Sequence, residues 1–578
     1  MFLIAVCCFK IWDEAVVQRV KHFIELAILS ALILATRCAN YPDVFVGGNI
    51  FFTDADCYAR MTRVRMCAAQ PGLIVRHHDF ENFPAGTTPH TTAPLDYLIL
   101  GLSVALEPIS AHAVDLAGAL ISPLLALAGG WFLWWWSRQM KARYRWASLI
   151  LYAISPILVH GTELGRPDHH SLCLLLVLIA ICAEWTVRSA EPGGETGNRP
   201  SQKAFGQPQL CLWSAVGGAA WAAAIWVSAY EPLILFLTSM AAVSLEDWRT
   251  LCARHRRIEW MAFGLVIAIA LLIEQRLPTL RSSSSGEIFR NWTRTIGELA
   301  PVTPASALWL RWCGYLILVA PLLMWMNARR ASAQSRLPIF MLVLLIATCA
   351  LTIWQARWSY FFVLLFALAL PALLEPIRSP LAVWIAFLFS LAPILREWDE
   401  TLWPRESRLA ARLERRNELL QLRQLAPLMQ SRQIRPFLAP WWLSPAIAYW
   451  SGQPGVAGSS HESMQGIADS ARFFLSENRQ ETRQMLSNHN VSWVVAYDGD
   501  RVAQNSAVIL GCALPARPLC QILDRTPGQA PDFLELSAQN GAAKLYRVKP
   551  AVTTTSASPQ QLTLAPFGHC ASRKKWAK

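Results

Sequence analysis

Apolar runs close to the length that crosses about 30 Å of hydrocarbon recur from Phe23 to Leu395 and then stop. They fall at roughly 23–38, 113–136, 147–161, 170–187, 210–228, 230–245, 259–276, 307–326, 337–354, 358–374 and 380–396. Each holds about 15 to 24 residues, which predicts membrane-spanning helices. The stretch "TAPLDYLILGLSVALEP" (92–108) is set apart, because counting it as a span inverts the sign of several later loops. It reads as a helix lying in, or dipping into, the outer interface. Beyond residue 396 charge, proline and polar residues mix as in a water-soluble body. The pattern predicts a polytopic α-helical membrane protein of about 11–13 spans with a C-terminal α/β soluble domain. The membrane part takes 1–396 with outer loops at 39–112 and 277–306, the soluble domain takes 397–550, and 551–578 is expected to be a disordered tail.

Composition agrees: 54% of the 578 residues are hydrophobic and 26 are tryptophan, which excludes an ordinary soluble enzyme. The net charge of +13 is explained by the loops and requires no nucleic-acid partner. "RQMKARYR", "RSAEPGGETGNRPSQK", "RTLCARHRR" and "NARRASAQSR" all fall on one side, which the positive-inside rule makes cytoplasmic. The N-terminus, with Lys10, Arg19 and Lys21, is then cytoplasmic and the C-terminal domain lies outside. The first apolar run lacks a convincing small-residue cleavage site and reads as an anchor.

This orientation gathers ionisable residues on the outer face. "FTDADCYARMTRVR" (52–65), "HHDFENFPAGTTPHTTAPLDY" (77–97), "GRPDHH" (165–170), "EIFRNWTRTIGELAPVTP" (287–304) and "WQARWSYF" (354–361) are all outer segments. They bring Asp54, Asp56, His90, Asp168, His170, Glu298 and Arg357 to one side. Charge at membrane level is expensive, so such residues point to function. Carboxylates with an imidazole suit a divalent cation such as Mn²⁺ or Mg²⁺. In an extended segment Asp168 and His170 point the same way, which makes them the better pair and His169 a secondary ligand. A cation there would neutralise a diphosphate leaving group, Arg357 would add a planar phosphate contact, and Glu298 would orient or deprotonate an acceptor or complete the coordination. The plain alternative for Asp168 alone is a helix cap.

These motifs resemble the catalytic subunits of oligosaccharyltransferases, in the GT-C class of membrane glycosyltransferases. "DADCYARMTRVR" is similar to the family's first-loop metal-ligand motif, with Asp56 ahead of Tyr58 and Arg63; Asp54 offers a second alignment. Asp168-His169-His170 resembles the Asp-His-His form of archaeal members. "TIGE", Thr295 to Glu298, matches the Thr-Ile-x-Glu motif, and Arg357 resembles the arginine near the lipid pyrophosphate. The resemblance implies that Asp56, Asp168, His170 and Glu298 hold the cation, with Asp56 and Glu298 catalytic. It also implies a polyprenyl-diphosphate-linked glycan donor, a protein or other glycan acceptor, and a site on the outer, periplasmic face of a prokaryotic inner membrane. One departure stands out. The family's Trp-Trp-Asp-Tyr-Gly, which binds the acceptor hydroxyl, is here Trp441-Trp442-Leu443-Ser444-Pro445. Loss of that carboxylate weakens selection for the hydroxyl. On residues alone, Trp441 and Trp442 read equally well as aromatics at the interface.

Two other classes compete. A GT-C enzyme moving a single sugar from a polyprenyl phosphate onto a lipid or cell-surface polymer keeps the acidic first loop without needing "TIGE". A transporter or flippase would place its charges within spans near the midplane. In the C-terminal region, "ETLWPRESRLAARLERRNELLQLRQLAPLM" predicts an amphipathic helix, residues 467–502 a helix pair, the strand "VSWVVAYD" and a turn at Gly499, and "FLELSAQNGAAKLYRVK" a closing hairpin. Most of the 14 cysteines read as buried hydrophobes, while Cys512 and Cys520 could pair in an oxidising compartment, as could two of Cys38, Cys57 and Cys67.

Overall fold

The computed structural model describes residues 2–190, 207–276, 286–329 and 337–550. The tail 551–578, most of "RSAEPGGETGNRPSQK" and "NARRASAQSR", and the start of the 277–306 loop lie outside them. The chain divides into two compact units, each built from separate stretches of sequence. The first takes Met1–Gly48, Ala119–Ile273 and Glu298–Arg405; the second takes Asn49–Gly118, Glu274–Gly297 and the chain from Glu406.

Among the described residues, five helices are long and apolar enough to cross a membrane: Ala113–Gln139, His169–Ser189, Pro208–Val227, Ala356–Leu374 and Pro380–Leu402. Shorter apolar helices include Arg145–Ile154, Leu316–Ala328 and Ile339–Trp354. Within the first unit their faces differ with position. Ala356–Leu374 is 83% buried, so protein surrounds it, whereas Pro380–Leu402 is only 28% buried. The latter turns Leu381, Ile385, Leu388 and Phe389 outward, an apolar surface suited to lipid contact.

A proline break shapes the approach to the site. Pro156 has no N–H for the Tyr152 carbonyl, so the helix Arg145–Ile154 ends and a short one, Pro156–His160, begins. Buried Arg37, at the end of the helix Phe2–Arg37, donates instead to Tyr152 O at 2.9 Å and also to Ala153 O. Its own carbonyl accepts Leu164 N at 2.9 Å, fixing the loop that carries Asp168.

The second unit contains the expected small α/β body. Its sheet runs in the order Phe437–Leu438, Trp493–Ala496, Ala543–Val548, Leu534–Asn540; the first pair is parallel, the others antiparallel. Phe473, Phe474, Val494, Val502, Leu523 and Tyr546 share its core. Gly499 begins a helix, Gly499–Leu510, where a turn was expected: Asp498 caps Arg501 N at 3.1 Å. A side chain at Gly499 would sit 2.9 Å from Cys520 O, so close helix packing requires glycine there. The amphipathic segment is interrupted at Pro404 and resumes as Glu406–Leu425. The stretch 92–108 forms the helix Ala93–Leu106. Cys38, Cys67, Cys512 and Cys520 are free thiols: Cys520 is buried in the helix Leu519–Arg525, while Cys512 is exposed beyond a helix end.

Candidate active site

In the first unit Asp168 stands immediately before the helix His169–Ala190 and accepts the His169 N–H at 2.7 Å, so it does cap that helix. Capping leaves its carboxylate available to both imidazoles: Oδ1 lies 2.6 Å from His169 Nδ1 and Oδ2 lies 2.5 Å from His170 Nδ1. The expected preference for Asp168 with His170 therefore widens to all three residues, because the helix begins at His169 and brings both rings onto one carboxylate. All three are buried, and their ligand-type atoms lie within 4.8 Å of one another. Burial alone would raise the Asp168 carboxyl; His169 and His170 outweigh it and hold the group well below the usual carboxylate range.

Glu298 joins the same unit. Its short turn, Gly297–Leu299, is followed by two main-chain bonds to the end of a neighbouring helix: Ala356 N to Ala300 O at 2.9 Å and Val302 N to Ile353 O at 3.2 Å. Glu298 Oε1 accepts the Tyr360 hydroxyl at 3.1 Å and Arg166 Nη1 at 3.4 Å. His160 links the same pair, 2.8 Å from the Tyr360 hydroxyl and 3.2 Å from Arg166 Nη2. Burial pushes the Glu298 carboxyl up, but His170 and Arg166 prevail and hold it low, so it persists as an anion.

Arg357 lies in the turn Ala356–Trp358 and forms an ion pair with Glu231, which opens the helix Tyr230–Asp247. Its guanidinium also sits 5.7 Å from the Tyr230 ring centre. Asp168, Glu231 and Arg357 thus stand at the N-terminal ends of three helices, where the backbone favours anions. Glu231, Arg166, Tyr360 and His160 were not singled out in the sequence. Glu231 had a usable signal, an acidic residue opening an apolar run.

The residues of the second unit have their own geometry. Asp54 caps the helix Ala55–Ala69 by accepting Cys57 N at 2.9 Å, while Asp56 is exposed in its first turn. Arg63 is a buried structural residue: with Arg60 it pairs with Asp96, and it donates to Thr91 Oγ1 at 2.9 Å. His90 contacts Glu462. Trp441 packs on Trp292 with centroids 5.7 Å apart and donates to Asn505 Oδ1 at 2.9 Å. Trp442 lies against the sheet core beneath Arg501, and Leu443 is buried.

A divalent cation fits the donor set at Asp168. His170 Nε2 is buried without a hydrogen bond among the described residues, beside an ionised carboxylate. Two imidazoles with one carboxylate favour Mn²⁺ over Mg²⁺, which prefers all-oxygen ligands.

Apolar helices long enough to span a membrane and a small α/β body, in this order along the chain, make up the GT-C fold. The chain is similar to the archaeal oligosaccharyltransferase AglB from Archaeoglobus fulgidus, in complex with an inhibitory peptide and a dolichol-phosphate. The TM-score is 0.65 and the identity 13%, over 86% of this chain and 71% of that one. It is also similar to the A. fulgidus oligosaccharyltransferase complexed with Zn and sulfate, with TM-score 0.60 and 13% identity over 81% and 67% of the chains. ArnT from Cupriavidus metallidurans, bound to undecaprenyl phosphate, aligns with TM-score 0.54 and 12% identity over 94% of this chain and 99% of that one. At these identities the likeness is one of fold. No protein-family model and no curated protein matches the sequence.

Proposed function

We propose that the protein is a metal-dependent glycosyltransferase of the oligosaccharyltransferase type. It moves a glycan from a polyprenyl diphosphate to a protein acceptor at the outer face of a prokaryotic inner membrane. The observation that carries this reading is the Asp168 carboxylate, buried between two imidazoles and sharing a unit with Glu298 and Arg357. Asp168 and His170, with Glu298 of the same unit, would hold the cation, and His169 fixes the Asp168 carboxylate. When bound, a divalent cation supplies positive charge opposite the departing diphosphate. Arg357 grips that diphosphate, with Glu231 fixing the guanidinium. Glu298, held by Tyr360 and Arg166, orients the acceptor nucleophile or takes its proton. AglB, the similar fold solved in complex with an inhibitory peptide, supports a peptide acceptor for this reading.

A second reading, transfer of a single sugar from a polyprenyl phosphate to a lipid or polymer, is favoured by the near end-to-end alignment with ArnT and by buried Leu443. One experiment separates them. Purified protein, Mn²⁺ and a radiolabelled polyprenyl-diphosphate glycan are mixed with membranes and periplasmic extract, comparing wild type with Glu298→Gln. Label on protein with wild type alone supports the first reading. Label confined to lipid or polymer replaces it with the second.

A further inference from the structure

We propose that His90, His461 and Glu462 form a second cation site, taking a zinc-class divalent ion and tying the loop 77–97 to the turn His461–Ser463. One ligand atom from each residue lies within 4.8 Å of the others. The three residues come from two stretches of the second unit, His90 in one and His461-Glu462 in the other, 372 residues from His90 to Glu462. Glu462 Oε1 is 2.7 Å from His90 Nδ1 and accepts the His90 main-chain N–H at 2.7 Å. Glu462 Oε2 is buried without a hydrogen bond among the described residues, and His461 Nδ1 stands 3.5 Å from it. The two imidazoles face each other with centroids 5.0 Å apart.

The loop is also held on both sides of His90 by contacts other than the one to Glu462. Arg276 donates to the carbonyls on either side of His90, to Pro89 O at 2.6 Å and to Thr91 O at 3.1 Å. Arg276 also pairs with Glu274 at 3.3 Å, and Glu274 accepts Ala93 N at 3.0 Å. Arg276 and Glu274 thus brace the loop beside the His90–Glu462 contact. Two imidazoles and one carboxylate match a common zinc ligand set, leaving a fourth position for water. Tetrahedral bonds of about 2.0–2.2 Å place donor atoms roughly 3.3–3.5 Å apart. The donor atoms, already within 4.8 Å of one another, stand little more than about 1 Å beyond that spacing at most. Both imidazole side chains are about one-third exposed, at 35% and 31%, so an ion has a route in, while Glu462 is 12% exposed. Imidazole favours zinc over Mg²⁺ or Ca²⁺.

The test uses full-length protein in detergent, stripped by chelator, with Zn²⁺ titrated against a chromophoric competitor. Asp168→Asn/His170→Ala serves as the baseline, so that the Asp168 cluster does not contribute. The baseline protein is expected to retain a single zinc equivalent and to gain thermal stability with zinc. Adding His461→Ala should remove that equivalent, and adding Glu462→Gln should lower its affinity at least tenfold. Size-exclusion profiles and metal-free melting temperatures establish folding, and the near-isosteric Glu462→Gln decides should His461→Ala misfold. A baseline protein that binds no zinc, or zinc binding unaltered by Glu462→Gln, overturns the proposal. Neither result bears on glycan transfer at Asp168.

Discussion

One helix, His169–Ala190, carries buried charge at both ends, and the ends are built differently. Glu184 gives both carboxylate oxygens to Arg256, each at 2.5 Å, and Arg256 also holds Glu259 at 2.5 Å. Arg188 adds a contact to Glu184 at 3.2 Å. The cation there is a guanidinium, permanently charged and built into the chain. About 24 Å away along the helix axis, Asp168 meets imidazoles, whose charge is conditional, and one ring nitrogen points into the protein unbonded. A carboxylate matched by arginine holds helices together. In the proposed function, the carboxylate matched by histidines is where a cation binds and leaves.

The largest effect should come from breaking the closed end. Arg256→Met strands two buried carboxylates and is expected to destabilise the protein by about 3–5 kcal/mol, read as a lowered melting temperature in detergent. An unchanged melting temperature would remove the structural role from this cluster. Asp168→Asn should do the reverse, leaving the melting profile close to wild type while transfer drops by ~100-fold, equivalent to about 2.7 kcal/mol. Arg357→Lys keeps the charge but loses the planar fork, so kcat/KM should fall roughly tenfold. A loss as large as that of Asp168→Asn would place Arg357 in a more central role than gripping phosphate.

The smallest effect concerns a more accessible histidine–carboxylate pair in the second unit. His489 is bonded to Asp469 at 3.2 Å, and this bond, outweighing burial, raises the imidazole above its ordinary 6.5. A raised histidine contributes stability in full below the unfolded value and loses it as pH climbs through the folded one. Burial would raise Asp469, but its bond to His489 and other contacts lower it below 3.8; its contribution is present above that value and lost as pH falls. Wild type should therefore lose on the order of 1 kcal/mol as pH rises from neutral into the alkaline range. His489→Gln should remove that slope in unfolding curves recorded across the range.

Much of this contrast was legible in the chain because it is local. An apolar run headed by Asp168-His169-His170 announces both a span and a charge at its mouth, and "TIGE" and Arg357 stand out against apolar neighbours. The buried run at Trp493–Ala496, rich in aromatic and β-branched residues, and the hairpin closing at Val548 follow from strand patterning. The partners that complete the sites were harder to read, since helix packing rather than spacing brings them in. Glu231 meets Arg357, and Tyr360 and Arg166 meet Glu298, across more than sixty residues each. Glu462 reaches His90 across 372. The division into units was illegible for a related reason: residues 49–118 cluster with the chain after Glu406, and no local pattern encodes that pairing.

The central claim is that the Asp168 cluster holds the cation that glycan transfer requires. Its most direct test is the Mn²⁺ dependence of transfer from a radiolabelled polyprenyl-diphosphate glycan, measured after chelation for wild type and Asp168→Asn/His170→Ala. The account predicts that chelation abolishes wild-type transfer, that Mn²⁺ restores it in saturable fashion, and that the double variant stays inactive at every Mn²⁺ concentration while remaining folded. Transfer that survives chelation, or a double variant with the wild-type Mn²⁺ response, would contradict it.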